Sequence, residues 1–370
     1  MVPLNPNIGL YIHVPFCDGK CPYCDFYSLR ANEELMEQYA NSIVENIKYY
    51  GSRLGRRADT LYFGGGTPSL LGARRLAAII AAARESFGLE NAEIALEVNP
   101  GKDLSGFFQE IREAGANRVS IGMQSANEDE MKLLGRRHTA AQAAQAVRDA
   151  QSAGFENISL DLMLAVPNQT RESLLRSIEF CADAGVQHIS AYLLKIEPHT
   201  AYYKNRETLA VPGDDEAGNL YLFACEELEK RGFRQYEISN FAKPGFESLH
   251  NLKYWRCEEY LGLGPAAHSF LSGRRFYYER SIGAFLRGDA PVEDGQGGGF
   301  EEYAMLALRL TEGLSDKACR ERFGYPLPQK MKSAAARYEK IGLTVCGEDG
   351  FHFTPKGFLV SNTLIAEILY

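Results

Sequence analysis

The chain has 370 residues, 45% hydrophobic and 24% charged, the balance of a globular protein with one large domain and a smaller one. Its formal net charge of -8 argues against nucleic acid as the main partner, because phosphate binding wants a basic face. No run of about 18 apolar residues exists to span a membrane, and Met1 to Pro6 hold no basic stretch leading into an apolar core, so no secretion signal is expected and the compartment is expected to be the cytoplasm.

From residue 8 onward the chain alternates short apolar runs with amphipathic ones. Strands are predicted over 8–14, 60–64, 93–98, 118–122, 157–162 and 188–194, because β-branched and aromatic residues crowd there between turn signals. Helices are predicted over 33–49, 73–87, 104–114, 140–153 and 171–184, where apolar residues recur three and four apart. Ala114-Gly115, Ala153-Gly154 and Ala184-Gly185 each put glycine where a helix needs a left-handed residue to end. Six strand–helix repeats predict an α/β fold with a parallel sheet, a partial six-fold (β/α) barrel of TIM-like type, although a doubly wound sheet has the same element order.

Past Pro198 the rhythm stops. A helix is predicted over 214–230, then a Tyr- and Gly-rich region to about 290. The run Asp294-Gly-Gln-Gly-Gly-Gly-Phe300 is the expected linker, since its glycines favour no fixed conformation. Helical patterns at 301–310, 315–323 and 329–341, a hairpin of 343–346 with 351–353 and a last helix make a small, mostly helical, winged-helix-like module. The acidic balance gives that module a packing role rather than a DNA-binding one. The expected division is therefore 1–200, 201–293 and 294–370.

Eight cysteines without a secretion signal imply a reducing compartment, so clustered thiols read as metal ligands. Cys181, Cys225, Cys257, Cys319 and Cys346 are scattered singly and read as small buried hydrophobes. Cys17, Cys21 and Cys24 differ, lying in Tyr11-Ile-His-Val-Pro-Phe-Cys17-Asp-Gly-Lys-Cys21-Pro-Tyr-Cys24, directly after the first strand. Three thiolates so close suit a [4Fe–4S] cluster and leave one iron open to an outside chelator. A zinc site with His13 or a distant residue as fourth ligand is the alternative, but such sites usually pair two hairpins and no second Cys-x-x-Cys exists here.

Polar residues recur where the next strands end. Gly64-Gly65-Gly66-Thr67-Pro68 follows the second strand, its glycines permitting close backbone approach to a ligand. Glu97 ends the third, Gln124 follows the fourth with Arg136 soon after, and Asp161 ends the fifth. Strand ends share one mouth of a barrel, so these groups are expected to converge. His138 reads as a capping or packing residue.

Together these motifs resemble the radical-SAM family of oxygen-independent coproporphyrinogen III oxidase-like proteins, from about Gly9 to Gly357. The resemblance implies a radical-SAM barrel with a [4Fe–4S] cluster on the three cysteines and S-adenosylmethionine as the chelator, whose cleavage releases a 5′-deoxyadenosyl radical. It also implies that Tyr11, Gly65, Gly66, Thr67 and Glu97 contact S-adenosylmethionine. Tyr23, Gln124, Arg136 and Asp161 match nucleoside-binding positions of the oxidases, some of them at a second cofactor molecule.

Within the family the match is to the heme-chaperone branch. The oxidases carry a further cysteine two residues past the third ligand, where this chain has Phe26, and they have an extension before the cluster strand that it lacks. His250-Asn-Leu-Lys-Tyr254-Trp255 is similar to the HNxxYW motif of the heme-binding branch, with the chain's single tryptophan in it. His250 is thus the expected heme ligand, and His268, among small residues that suggest tight packing, a second candidate. The implied function is heme binding and delivery to acceptor hemoproteins, with an electron donor for the cluster; the alternative is oxidative decarboxylation of coproporphyrinogen III.

Overall fold

The computed structural model describes residues 5–101 and 103–370, so Met1 to Leu4, on which part of the secretion-signal expectation rested, lie outside them. Six parallel strands run side by side in chain order: β1 (Ile8–Val14), β2 (Ala58–Gly65), β3 (Glu93–Val98), β4 (Arg118–Gln124), β5 (Asn157–Leu164) and β6 (His188–Leu193). The helices between them are α1 (Glu33–Leu54), α2 (Ala73–Phe87), α3 (Ser105–Glu113), α4 (Glu128–Leu133), α5 (Ala140–Ser152) and α6 (Arg171–Asp183). This is the expected α/β architecture, and the in-order strands exclude a doubly wound sheet. Gly115, Gly154 and Gly185 adopt φ of 107°, 87° and 74°, the left-handed conformation that ends α3, α5 and α6. Thr139 and Thr170 open α5 and α6 with reciprocal capping boxes.

Strand alternation divides inside from outside. Ile8, Leu10, Ile12 and Val14 are fully buried with Tyr39, Ile43 and Ile47 of α1, while Tyr11 and His13 point the other way, toward a cavity on the opposite face of β1.

The region after residue 200, where no rhythm was visible, joins the same sheet. After α7 (Ala201–Lys204) and α8 (Asp214–Lys230), strands β7 (Arg234–Gln235) and β8 (Asn240–Ala242) extend it beyond β6. A short helix, α9 (Leu249–Trp255), leads into β9 (Tyr260–Leu263), which pairs parallel to β1. Strands β10 (His268–Leu271), β11 (Arg274–Tyr277) and, after α10 (Ile282–Leu286), β12 (Val292–Gln296) complete a twelve-stranded sheet. The expected linker is therefore no free tether: β12 takes Asp294 to Gln296 into the sheet edge, and a Cβ on Gly297 would lie 2.9 Å from the Phe270 ring.

The remaining elements form the winged-helix-like module: α11 (Phe300–Ala307), β13 (Leu314–Ser315), α12 (Asp316–Phe323), α13 (Gln329–Glu339), β14 (Thr344–Cys346), β15 (Gly350–Phe353), α14 (Pro355–Leu359) and α15 (Ser361–Leu369). Its sheet has three strands, because β13 joins the expected hairpin. Backbone bonds from Ile238 to Arg309 and from Thr311 to Tyr236 fasten it to the barrel, as does the Arg322 guanidinium on the carbonyls of Arg256 and Cys257. Among the described residues no helix is long and apolar enough to cross a membrane.

Candidate functional site

The cysteine loop leaves β1 and returns to it. Leu29 N–H donates to Pro15 O at 2.8 Å and Cys17 N–H to Leu29 O at 3.0 Å, pinching the neck so that the three thiols hang on a closed loop. Cys17, Cys21 and Cys24 are free and half-buried, and all three line a cavity of about 610 Å³ that occupies the barrel. Among the described residues no three His, Cys, Asp or Glu side chains converge as ligands of a single metal ion. A cluster asks for a wider set, each thiolate on its own iron. His13, the fourth ligand a zinc site would need, has both ring nitrogens engaged, by Tyr11 Oη at 3.0 Å and Tyr27 O at 3.1 Å.

The glycine turn packs against this loop. Gly65 has φ 108° and a Cβ there would lie 2.6 Å from His13 Cε1; one on Gly66 would lie 2.5 Å from Phe16 O. No side chain fits at either place. The N–H groups of Gly65, Gly66 and Thr67 donate to Glu97 Oε2, Val14 O and Phe16 O. The turn thus offers a ligand close approach rather than amide donors.

Glu97 enters the same cavity, with Tyr62 Oη donating to its Oε1 at 3.0 Å. Burial, and next the charge of Asp161, push its carboxyl up to about 7. Asp161 accepts from Ser120 Oγ at 2.8 Å and is itself raised by burial. Arg136 donates from Nη2 to Asn99 Oδ1 and to Gly122 O, both at 2.6 Å, and from Nη1 to Cys21 Sγ at 3.7 Å. Its Nε is buried without a partner, a donor left over for a ligand. Gln124 takes φ 72° at a break in the β4–β5 register, a strained backbone of the sort that accompanies a site. Half-buried thiols, an acceptor carboxylate, an orphaned guanidinium donor and glycine-walled space together fit a cluster and a zwitterionic nucleoside beside it.

The cavity thus brings together Cys17, Cys21, Cys24, Tyr23, Gly65, Gly66, Thr67, Glu97, Gln124, Arg136 and Asp161. Two expected residues stand apart. Tyr11 faces a second cavity, of about 500 Å³, on the β9 side of β1. His250 is fully buried: Nδ1 meets Thr60 Oγ1 and Nε2 meets Tyr254 Oη, each at 2.8 Å. Its ring stacks on Tyr62 (5.2 Å between centroids, 19°) and on Tyr11 (6.3 Å, 28°). Since Tyr62 lines the first cavity and Tyr11 and Tyr254 the second, these rings form the partition between them.

Tyr62, Asn99 and Ser120 belong to the site and were missed. Asn99 ties Arg136 to Thr67, whose Oγ1 accepts from its Nδ2 at 2.8 Å. A signal existed: Glu97 and Asn99 at the end of the third strand, and Arg118 and Ser120 on the fourth, are two residues apart, putting polar side chains on the inner face.

Residues 11–181 match the family model of the radical SAM superfamily, and residues 300–360 that of the HemN C-terminal domain. Heme chaperone HemW of Lactococcus lactis is 32% identical over 375 residues, covering 99% of this chain and 98% of the relative. Heme chaperone HemW of Escherichia coli K12 is 37% identical over 283 residues, covering 74% of this chain and 73% of the relative. Among solved structures, the radical SAM enzyme coproporphyrinogen III oxidase (HemN) from Escherichia coli superposes with a TM-score of 0.83 over 98% of this chain and 90% of that one, at 20% identity, a likeness of fold. Near-complete coverage at this identity, on a barrel whose strand ends gather three thiols and a glycine turn, places the chain in the HemW family of the radical SAM superfamily.

Proposed function

We propose that the chain is a heme carrier, which binds heme and hands it to acceptor hemoproteins under the control of a [4Fe–4S] cluster and S-adenosylmethionine. The observation that carries the reading is likeness along essentially the whole chain to proteins named heme chaperones. Phe26 supports it, standing 62% exposed at the rim where the oxidases have a further cysteine. The two resident cofactors come with the superfamily. In this reading Cys17, Cys21 and Cys24 hold the cluster, and Gly65, Gly66, Thr67 and Glu97 hold the methionine end of S-adenosylmethionine, with Glu97 the partner of its ammonium. Tyr23, Gln124, Arg136 and Asp161 take the nucleoside. When bound, the cluster supplies an electron to S-adenosylmethionine. The protein keeps water from that pair by seating it in the barrel, over a floor made by α9.

The reading also divides the chain into a cluster barrel, 1–200, a heme-motif region, 201–293, and a winged-helix-like module, 294–370. It places the chain in the cytoplasm, with an electron donor as a further partner. Anaerobic reconstitution followed by three parallel assays tests it. Heme uptake and transfer to a heme-free acceptor, without coproporphyrinogen turnover, is the expected result. Protoporphyrinogen formation, or no heme uptake by protein with an intact cluster, overturns it.

A further inference from the structure

Behind the nucleoside half of the barrel cavity lies a buried polar cluster. Glu130, in α4, is 4% exposed and stands outside the cavity lining. Its carboxyl accepts from Ser125 Oγ at 2.6 Å, from Gln169 Nε2 at 3.3 Å and from Ser173 Oγ. All three donors are buried too. An apolar side chain there would be spared the desolvation that a buried carboxyl costs. What the carboxyl adds is geometry.

Two loops are tied to it, and each starts from a non-glycine residue in the left-handed region. Gln124 ends β4 at φ 72°, and Ala165 follows β5 at φ 57°. Ser125, next to Gln124, donates to Glu130 and accepts from Asn127 N–H at 2.9 Å, which turns the chain off the strand. Gln169 takes the Ala165 N–H on Oε1 at 2.6 Å, and its Nε2 donates to Met163 O at 3.1 Å as well as to Glu130. Both turns open onto the cavity, where Gln124 and Met163 form part of the wall. Met163 packs there with Leu134, Val166 and Tyr23. A Cβ on Gly122 would lie 3.1 Å from Gln124 Nε2 and 3.1 Å from Arg136 Nη2, so amide and guanidinium stand side by side over that glycine. A left-handed glutamine or alanine persists only where its surroundings over-determine it. Here those surroundings converge on one carboxyl.

We propose that Glu130 is a positioning residue for the nucleoside of S-adenosylmethionine. Through Ser125 it holds Gln124 aimed into the cavity, and through Gln169 it sets Met163 and the apolar wall opposite. This role rests on the reading of the cavity as the S-adenosylmethionine site. It assigns the group that fixes the shape of that site without touching the ligand, so that the ordering is done before binding.

The test is a double-mutant cycle on the anaerobically reconstituted full-length protein: Glu130→Leu, Gln124→Ala and the two combined, with S-adenosylmethionine affinity from calorimetric titration. Gln124→Ala should weaken binding, and Glu130→Leu should weaken it about ten-fold. Together they should cost clearly less than the product of the single losses, because Glu130→Leu then misplaces a side chain already removed. At saturating S-adenosylmethionine the electron paramagnetic resonance signal of the reduced cluster should match wild type in every variant, since the methionine end is held elsewhere. Should Glu130→Leu fail to fold, Ser125→Ala cuts only the link to Gln124 and takes its place in the cycle. Losses that multiply, an altered cluster signal, or affinity unchanged by either substitution overturns the role. Wild type that binds no S-adenosylmethionine overturns the reading of the cavity instead.

Discussion

Glu97 is the residue whose protonation the barrel sets most directly. Its carboxyl sits at about 7 against an ordinary 4.5, because it is buried and faces Asp161. A raised carboxyl holds its proton in the fold where the unfolded chain has lost it. The stability it lends is therefore complete below about pH 4.5 and gone as pH rises through about 7. Recognition of an ammonium runs the other way, since only the carboxylate pairs with it. S-adenosylmethionine affinity of the reconstituted protein should then rise between about pH 6 and pH 8, and Glu97→Gln should flatten that rise. Calorimetric titration across this range checks it; a wild-type profile already flat refutes the role. Gly65 is the second sharp position. Gly65→Ala meets the His13 ring and keeps a left-handed φ, so it should destabilise by about 2 kcal/mol or more and abolish S-adenosylmethionine binding. Chemical denaturation measures the first effect and equilibrium binding the second.

At the scale of elements, α9 decides how the HNxxYW-like motif is read. Its first N–H groups, from Leu249 and His250, donate to the Glu93 carboxylate at the start of β3, and the carbonyl of Phe246 just before it accepts from Arg118 at the start of β4. The helix therefore closes the floor of the barrel, at the end opposite the cluster loop, where side chains serve stability more than chemistry. His250→Ala should strand the hydroxyls of Thr60 and Tyr254 and open a hole behind the partition, costing about 2–4 kcal/mol. Any heme loss in that variant is expected to come with a lowered unfolding midpoint, which heme titration of refolded protein alongside denaturant melts would separate. Lys253 completes the floor, 4% exposed between Asp59 at 2.8 Å and Glu258 at 3.1 Å. Lys253→Met should cost about 2 kcal/mol, because it leaves two partly buried carboxylates facing each other. Arg274→Gln breaks an ion pair whose side chains are 69% and 67% exposed, and should cost under about 1 kcal/mol. Urea midpoints of the two variants give the comparison. The motif was legible as a string, but its role was not: a histidine four residues from a tyrosine has the same spacing whether the pair faces a ligand or a barrel floor. Only the return of β9 beside β1 decides which.

Across the whole molecule, the same contrast sets what could be read in advance. Strands β1 to β6 are apolar runs closed by helix caps, so their existence followed from pattern, while their order in the sheet did not. Strands β7 to β12 have two to five residues each and include Glu293, Asp294 and Gln296, with no period to detect. They pair mostly with one another, and only β8 on β6 and β9 on β1 join them to strands far along the chain. The cluster cavity was legible because polar groups fell at successive strand ends. The second cavity was not, being built between β1 and strands that carried no signal. The described core consists of apolar side chains between sheet and helices, and the cysteine loop is held at its neck by backbone bonds rather than by its thiols. Folding should therefore not require the cluster. Replacing Cys17, Cys21 and Cys24 together by serine is expected to remove iron, acid-labile sulfide and S-adenosylmethionine binding while moving the thermal midpoint by no more than about 3 °C. Metal analysis and circular dichroism melts on the same preparation test both halves. A midpoint that collapses would make the cluster a folding ligand, as zinc is in small metal-dependent domains, and the barrel would then be a consequence of the cofactor rather than its preformed container.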